Sequence, residues 1–111
     1  MANQLSRPND YLLVLSPSYT YVDIQGDGSE ALETRWISAS PSPNIGFSFH
    51  LTMLEKRTFR NNYGSNPGGA ASITTPTGAD YTVSAHQTVI ITHASGNWVM
   101  TDALGGSGGV I

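Results

Sequence analysis

The sequence predicts an all-β domain, an antiparallel β-sandwich of jelly-roll type with flexible termini. Three observations point there. Apolar residues recur at every second position from Ile45 to Met53, the period of a strand with one buried face. The β-branched run Thr88-Val89-Ile90-Ile91-Thr92 is followed by the turn residues Ala94-Ser95-Gly96-Asn97 and then by Trp98-Val99-Met100-Thr101, which reads as an antiparallel hairpin. No segment has the 3.6-residue periodicity of a long amphipathic helix, whereas 12 Gly and 6 Pro divide the chain into short pieces. About seven or eight short strands joined by such turns fit a sandwich.

Each element has its own reason. Residues 1–10 are polar and hold the turn signal Arg7-Pro8-Asn9-Asp10, so an N-terminal arm or short edge segment is expected. Residues 11–104 make up the sandwich domain. Tyr11-Leu12-Leu13-Val14-Leu15 is an apolar run that stops at Ser16-Pro17, which predicts a strand buried on both faces. Between Tyr19 and Ile24 the pattern alternates, with Thr20, Val22 and Ile24 on one side and Tyr19, Tyr21 and Asp23 on the other. Gln25-Gly26-Asp27-Gly28-Ser29 is a turn, and Glu30 to Leu32 has room for a single helical turn at most. Thr34-Arg35-Trp36-Ile37-Ser38-Ala39 reads as a strand ending at the Pro41-Ser42-Pro43 loop. Ile45, Phe47, Phe49, Leu51 and Met53 then share one face, which predicts a central strand facing the core.

The second half begins with Glu55-Lys56-Arg57-Thr58-Phe59-Arg60, the one dense cluster of charge. Residues 61–71 form a loop of Gly, Asn and Pro, long enough to carry function. Ser72-Ile73-Thr74-Thr75, a Pro76-Thr77-Gly78 turn and Tyr81-Thr82-Val83 lead to the hairpin, where Trp98 is the largest anchor. Burying one Trp removes on the order of 200 Å² from water. Gly105-Gly106-Ser107-Gly108-Gly109 is flexible by composition, so residues 105–111 form a C-terminal tail that ends in Val110-Ile111.

Size and charge narrow the function. At 111 residues and 11.8 kDa the chain is one domain with one modest core. Charged residues make up only 12%, about half the usual share, a depletion that suits a surface partly covered by other protein. A net charge of −3 with five Lys plus Arg offers no basic face for direct nucleic-acid binding. With no cysteine, disulfides and thiolate metal sites are excluded. No apolar run approaches a membrane span, and the polar start Met1-Ala2-Asn3-Gln4-Leu5 has no signal-peptide core. The expectation is a protein made and used in a cytoplasm, or assembled there into something larger.

Catalytic groupings are missing from the sequence. His86 and His93 are an odd number of residues apart and would face opposite sides of a strand, with no H-x-H pair and no acidic neighbour. Asp23-Ile24-Gln25-Gly26-Asp27-Gly28 echoes a calcium loop, but Thr34 stands where the bidentate Glu belongs. There is no G-x-S-x-G, and nothing brings Asp80 and Asp102 together as a carboxylate pair. The Gly105–Gly109 stretch lacks the Lys and helix of a phosphate loop. No enzyme, cofactor or metal is therefore expected. The candidate site is a partner-binding one, Arg57, Phe59, Arg60, Asn62 and Tyr63, which combines Arg and aromatic side chains around a long loop. Exposed tyrosines such as Tyr19 and Tyr21 would alternatively suit sugar stacking in a carbohydrate-binding module of a phage tail fibre or adhesion protein.

From Ile73-Thr74-Thr75-Pro76 to Gly96-Asn97-Trp98-Val99 the chain resembles small β-domains of tailed-phage structural proteins, in which a Pro/Gly turn precedes a Thr/Val strand and a Gly-Asn-Trp-Val return strand. In size, sparse charge and Gly-rich end, the whole chain resembles the capsid decoration, staple or cement proteins of epsilon15-type short-tailed phages. That resemblance implies a jelly-roll-like domain on the outer surface of an icosahedral virion. It would clamp neighbouring major capsid proteins without covalent bonds, as a homodimer or other homo-oligomer, after assembly in the host cytoplasm. Val110 and Ile111, beyond the flexible stretch, are expected to pack against another subunit.

Overall fold

The computed structural model describes residues 2–6, 11–25 and 32–102. Every regular element among them is a strand: β1 (Ala2–Ser6), β2 (Leu12–Leu15), β3 (Tyr21–Gln25), β4 (Glu33–Thr34), β5 (Trp36–Ala39) and β6 (Ser48–Met53) in the first half. The second half holds β7 (Arg57–Phe59), β8 (Ala71–Thr74), β9 (Tyr81–Val83), β10 (Thr88–Ala94) and β11 (Asn97–Asp102). The all-β class follows as expected. The pairing does not follow a jelly roll, which is antiparallel throughout.

Two sheets form. One has eight strands in the order β1-β3-β6-β10-β11-β8-β5-β2, and the other has three in the order β4-β7-β9. The pairs β1/β3, β3/β6, β2/β5, β4/β7 and β8/β11 are parallel. Ala2 lies beside Tyr21, Tyr21 beside His50, Leu12 beside Trp36 and Glu33 beside Thr58. The chain thus comes back alongside itself after roughly twenty to thirty residues, as successive coils of a solenoid do. Parallel neighbours need long crossovers, and here the rest of each coil supplies them. Antiparallel pairing takes over toward the C-terminal end, in β6/β10, β10/β11, β5/β8 and β7/β9.

One apolar cluster fills the inside. It takes Leu13 and Ile37 from one half of the large sheet, Phe49, Leu51, Val89, Ile91 and Trp98 from the other, and Phe59 and Val83 from the small sheet. The large sheet must therefore fold around its own apolar side, with the small sheet against it. The alternation that marked β6 is visible in burial: Phe49, Leu51 and Met53 are buried, and Phe47 packs against the cluster. Ile45 departs from it, lying in the preceding turn at 69% exposure. Outward hydroxyls pair across strands, Ser48 with Thr92 at 2.9 Å and Thr52 with Thr88 at 2.7 Å, contacts of the kind that pin register.

Two expectations need correction. The run from Tyr11 to Leu15 is not buried on both faces. Among the described residues β2 ends the large sheet, with Leu13 and Leu15 inside and Val14 and Tyr11 about two-fifths exposed, at 39% and 41%. An uninterrupted apolar run cannot distinguish a doubly buried strand from a one-sided one. The strand expected from Thr34 to Ala39 breaks at Arg35, so that β4 joins the small sheet and β5 the large one. Residues 2–6 of the expected N-terminal arm form β1, which ends the large sheet among the described residues. The echo of a calcium loop, the single helical turn before Leu32 and the tail with Val110 and Ile111 fall wholly or mostly outside the described residues.

The hairpin is as read. Ala94 pairs with Asn97, Trp98 is buried, and Gly96 takes the left-handed φ of +86° that the two-residue turn requires. A Cβ at Gly96 would meet no atom within 4 Å, so substitution there carries a backbone cost alone. Gly96→Ala is expected to lower stability by about 1–2 kcal/mol and Gly96→Asn by less, as the denaturant midpoint will register.

Candidate functional site: an arginine held between two tyrosines

The break at Arg35 creates a corner between the two sheets. Its backbone N–H donates to the carbonyl of Tyr11 at 2.8 Å, and that of Trp36 to the same oxygen at 3.1 Å. This fastens the start of β5 to the residue just before β2. The Arg35 guanidinium carbon then lies 3.7 Å from the ring centre of Tyr11 and 4.4 Å from that of Tyr63. The flat cation is held between two phenol faces, whose quadrupoles attract it.

Tyr63 reaches this place because its loop is tied down at both ends. The Asn61 backbone N–H donates to Asp80 Oδ1 at 2.9 Å, its side-chain amide donates to the Gly78 carbonyl at 3.0 Å, and its Oδ1 accepts from the Thr75 N–H at 3.0 Å. Asn62 N–H donates to the Ile73 carbonyl at 2.8 Å, and Ser72 Oγ donates to Asn66 Oδ1 at 3.0 Å. Trp36 Nε1 donates to the Gly64 carbonyl at 2.7 Å and meets the Tyr63 ring edge-on at 5.5 Å. Left-handed φ angles at Asn62, Gly64 and Ser65 curl the loop back on itself. Among the described residues, this is the closest grouping of Arg with aromatic rings.

Charge at the cluster is balanced. Glu33 Oε2 accepts from Arg35 Nε at 2.6 Å and from Arg60 Nη1 at 2.9 Å, while Arg60 Nε lies 2.8 Å from Asp80 Oδ2. The hydrogen bond that Arg35 donates to Glu33 holds its guanidinium above the ordinary range, against an opposing desolvation. Among the described residues, two cations here face two carboxylates. The surface offers flat aromatic faces and a rigid guanidinium, the side-chain types enriched where protein partners bind tightly.

The residues expected from sequence divide into three groups. Arg60, Asn62 and Tyr63 belong to or border this surface, with Asn62 and Tyr63 exposed and Arg60 half-buried. Arg57 and Phe59 do not: they alternate inward along β7 and are 1% and 0% exposed. Phe59 is core, and Arg57 Nη1 donates to Thr34 Oγ1 at 3.0 Å inside. A charged residue in a short charge-rich segment looked like surface, but period-2 burial took precedence. Val110 and Ile111 lie outside the described residues. Sequence reading missed Arg35, Tyr11 and Trp36, because nothing local ties residue 11 to residue 63. The only available signal was an Arg-Trp pair inside an otherwise strand-like run.

The other polar groups are engaged separately. Asp80 serves the loop, and Asp102 accepts from the Tyr81 hydroxyl at 2.5 Å, joining β9 of the small sheet to β11 of the large one. His86 sits in a turn at φ +69°, and His93 lies against Trp98 with ring centres 4.7 Å apart. Among the described residues no three His, Cys, Asp or Glu side chains are grouped to hold a metal ion. Compared with known proteins, the chain matches no family model, no curated sequence and no solved structure.

The Tyr81–Asp102 contact has a pH signature. The carboxylate hydrogen bond, with burial second, pushes the Tyr81 hydroxyl up to about 12 from its ordinary 10.0. A value raised by folding means that the contact contributes fully below about pH 10, and that the contribution is lost as pH rises toward 12. Ultraviolet titration should show a late tyrosine ionisation near 12 that belongs to Tyr81. Tyr81→Phe should remove both that step and the stability lost over the same interval.

Proposed function

We propose that the chain is a structural protein acting by docking rather than catalysis, and that its partner is the outside of an icosahedral phage capsid. On this reading it clamps neighbouring major capsid proteins non-covalently, as a homodimer or other symmetric oligomer on the virion surface, after assembly in the host cytoplasm. The single observation that supports docking is the cluster of Arg35 between Tyr11 and Tyr63, pre-ordered by the loop hydrogen bonds. Rigid aromatic and Arg anchors lose little entropy on binding, so more of their contact energy reaches the complex. The choice of a capsid as partner rests on the resemblance set out from the sequence. A clip that binds only the assembled lattice stabilises that lattice by mass action.

A second reading, a carbohydrate-binding module of a phage tail fibre or adhesion protein, is favoured by a different face. Tyr21 is half exposed, at 53%, and stacks on His50 with ring centres 4.4 Å apart, while Tyr19, two residues before β3, is also exposed. Such a face can stack on a sugar ring.

Co-sedimentation with purified phage shells separates the two. The docking reading expects the wild-type chain to pellet with shells and to bind no sugar on a glycan array. Tyr63→Ala should weaken shell binding by about thirtyfold, a loss of ~2 kcal/mol typical of a hot-spot residue. Wild-type protein left in the supernatant would overturn the capsid reading. Unchanged binding by Tyr63→Ala would remove the cluster as its site.

A further inference from the structure

We infer that Arg35 receives a carboxylate from its partner, and that the terminal edge of its guanidinium grips the side chain of an Asp or Glu on the docked protein. The inference rests on the docking reading above and deepens it by naming what the partner must present.

Its first ground is the count of donors. An arginine carries five N–H groups, one on Nε and the others on the two Nη nitrogens. Among the described residues the Arg35 side chain makes one hydrogen bond, from Nε to Glu33 Oε2 at 2.6 Å. Neither Nη nitrogen has a partner there, and neither is sealed from water, with 22% of the side chain exposed.

The second ground is the shape of the opening. Tyr11 and Tyr63 lie over the guanidinium, their ring centres 3.7 Å and 4.4 Å from its carbon. With its faces covered, the group is approached in its own plane, across the edge made by Nη1 and Nη2. Glu33 bonds at Nε, on the other side of the guanidinium carbon from that edge. Two N–H groups on the edge point the same way, at the spacing of the two oxygens of a carboxylate.

The third ground selects the charge. When the cluster docks, water leaves the Nη edge. Donors buried without partners cost more than an ordinary hydrogen bond contributes, so the partner must bring acceptors. A carbonyl or side-chain amide brings one oxygen. A carboxylate brings two, and charge-assisted bonds are about twice as strong as neutral ones. The acids already present are engaged: Glu33 Oε2 serves both Arg35 and Arg60, and Asp80 serves Arg60 and the Asn61 N–H. Tyr11 and Tyr63 keep 41% and 38% of their surface open, which a protein around the carboxylate would cover and a free acid would not.

The test has two arms. In the first, the full chain without shells is titrated by NMR with N-acetylglutamate N-methylamide. The matching glutamine compound is the neutral control, and N-acetylglycine stands for a chain-terminal carboxylate. The glutamate compound should shift the Arg35 Nε–H and the Tyr63 ring signals saturably, the glutamine compound should not, and N-acetylglycine should bind no more tightly. Arg35→Lys keeps the charge and loses the fork, so its Tyr63 signals should not respond. In the second arm, Arg35→Lys should weaken shell co-sedimentation about tenfold. A wild type that ignores the glutamate compound, responds equally to the glutamine control or prefers N-acetylglycine overturns the inference. Shell binding that Tyr63→Ala weakens and Arg35→Lys leaves unchanged also overturns it, while the docking reading stands. A wild type that stays off shells yet saturates with the glutamate compound supports the carboxylate site and removes the capsid as its partner.

Discussion

The packing of Phe49 against Trp98 is the contact on which the rest of this structure depends. Their ring centres lie 5.8 Å apart, and both side chains are buried. Phe49 sits on β6, which has the parallel coil strand β3 on one side and the antiparallel strand β10 on the other. Trp98 sits on β11, which leads through β8 to the returning half of the sheet. Parallel coils have no tight turn to hold neighbouring strands together, so long-range side-chain burial must do so. A fully buried Phe, Leu or Met contributes about 1.5–3 kcal/mol, and β6 supplies one of each in Phe49, Leu51 and Met53.

Around that core, polar contacts decide how the two sheets meet. Tyr81 and Asp102 tie the small sheet to the large one on one side, and the Arg35 corner does so on the other. Inside, Arg57 donates to Thr34, joining β7 to β4. A buried guanidinium is tolerated only with hydrogen-bond partners, so Arg57 constrains how β4 lies as strictly as any apolar residue. The candidate docking surface is a by-product of the same geometry. The chain changes sheets at Arg35, and that change leaves a guanidinium at the seam where Tyr11 and Tyr63 can close on it.

Legibility in the sequence followed the range of the interaction. The hairpin of Thr88–Ala94 and Asn97–Asp102 was readable because its strands, its Gly96 turn and its Trp98 anchor all lie within one short window. The alternation on β6 was readable because burial of one sheet face writes itself at every second residue. The parallel pairings are not legible, since a partner one coil away leaves no local mark, and short strands between turns fit the antiparallel neighbours of a jelly roll equally well. Arg57 and Phe59 have the Arg-plus-aromatic composition of a docking surface, yet the two-residue period of β7 turns both inward. Tyr63, Asn62 and Arg60 were placed by loop length and composition, whereas Arg35 and Tyr11 emerge only from the coil that stacks β2 on β5.

The most direct test compares two alanine substitutions four residues apart. Phe49 and Ile45 fall on the same face of the sequence pattern, yet one is fully buried and the other 69% exposed. Equilibrium denaturation should show Phe49→Ala losing about 3–5 kcal/mol, or failing to fold, while Ile45→Ala stays within ~0.5 kcal/mol of wild type. Equal losses at the two positions, or a Phe49→Ala protein as stable as the parent, would contradict a fold held together through the inner side of β6.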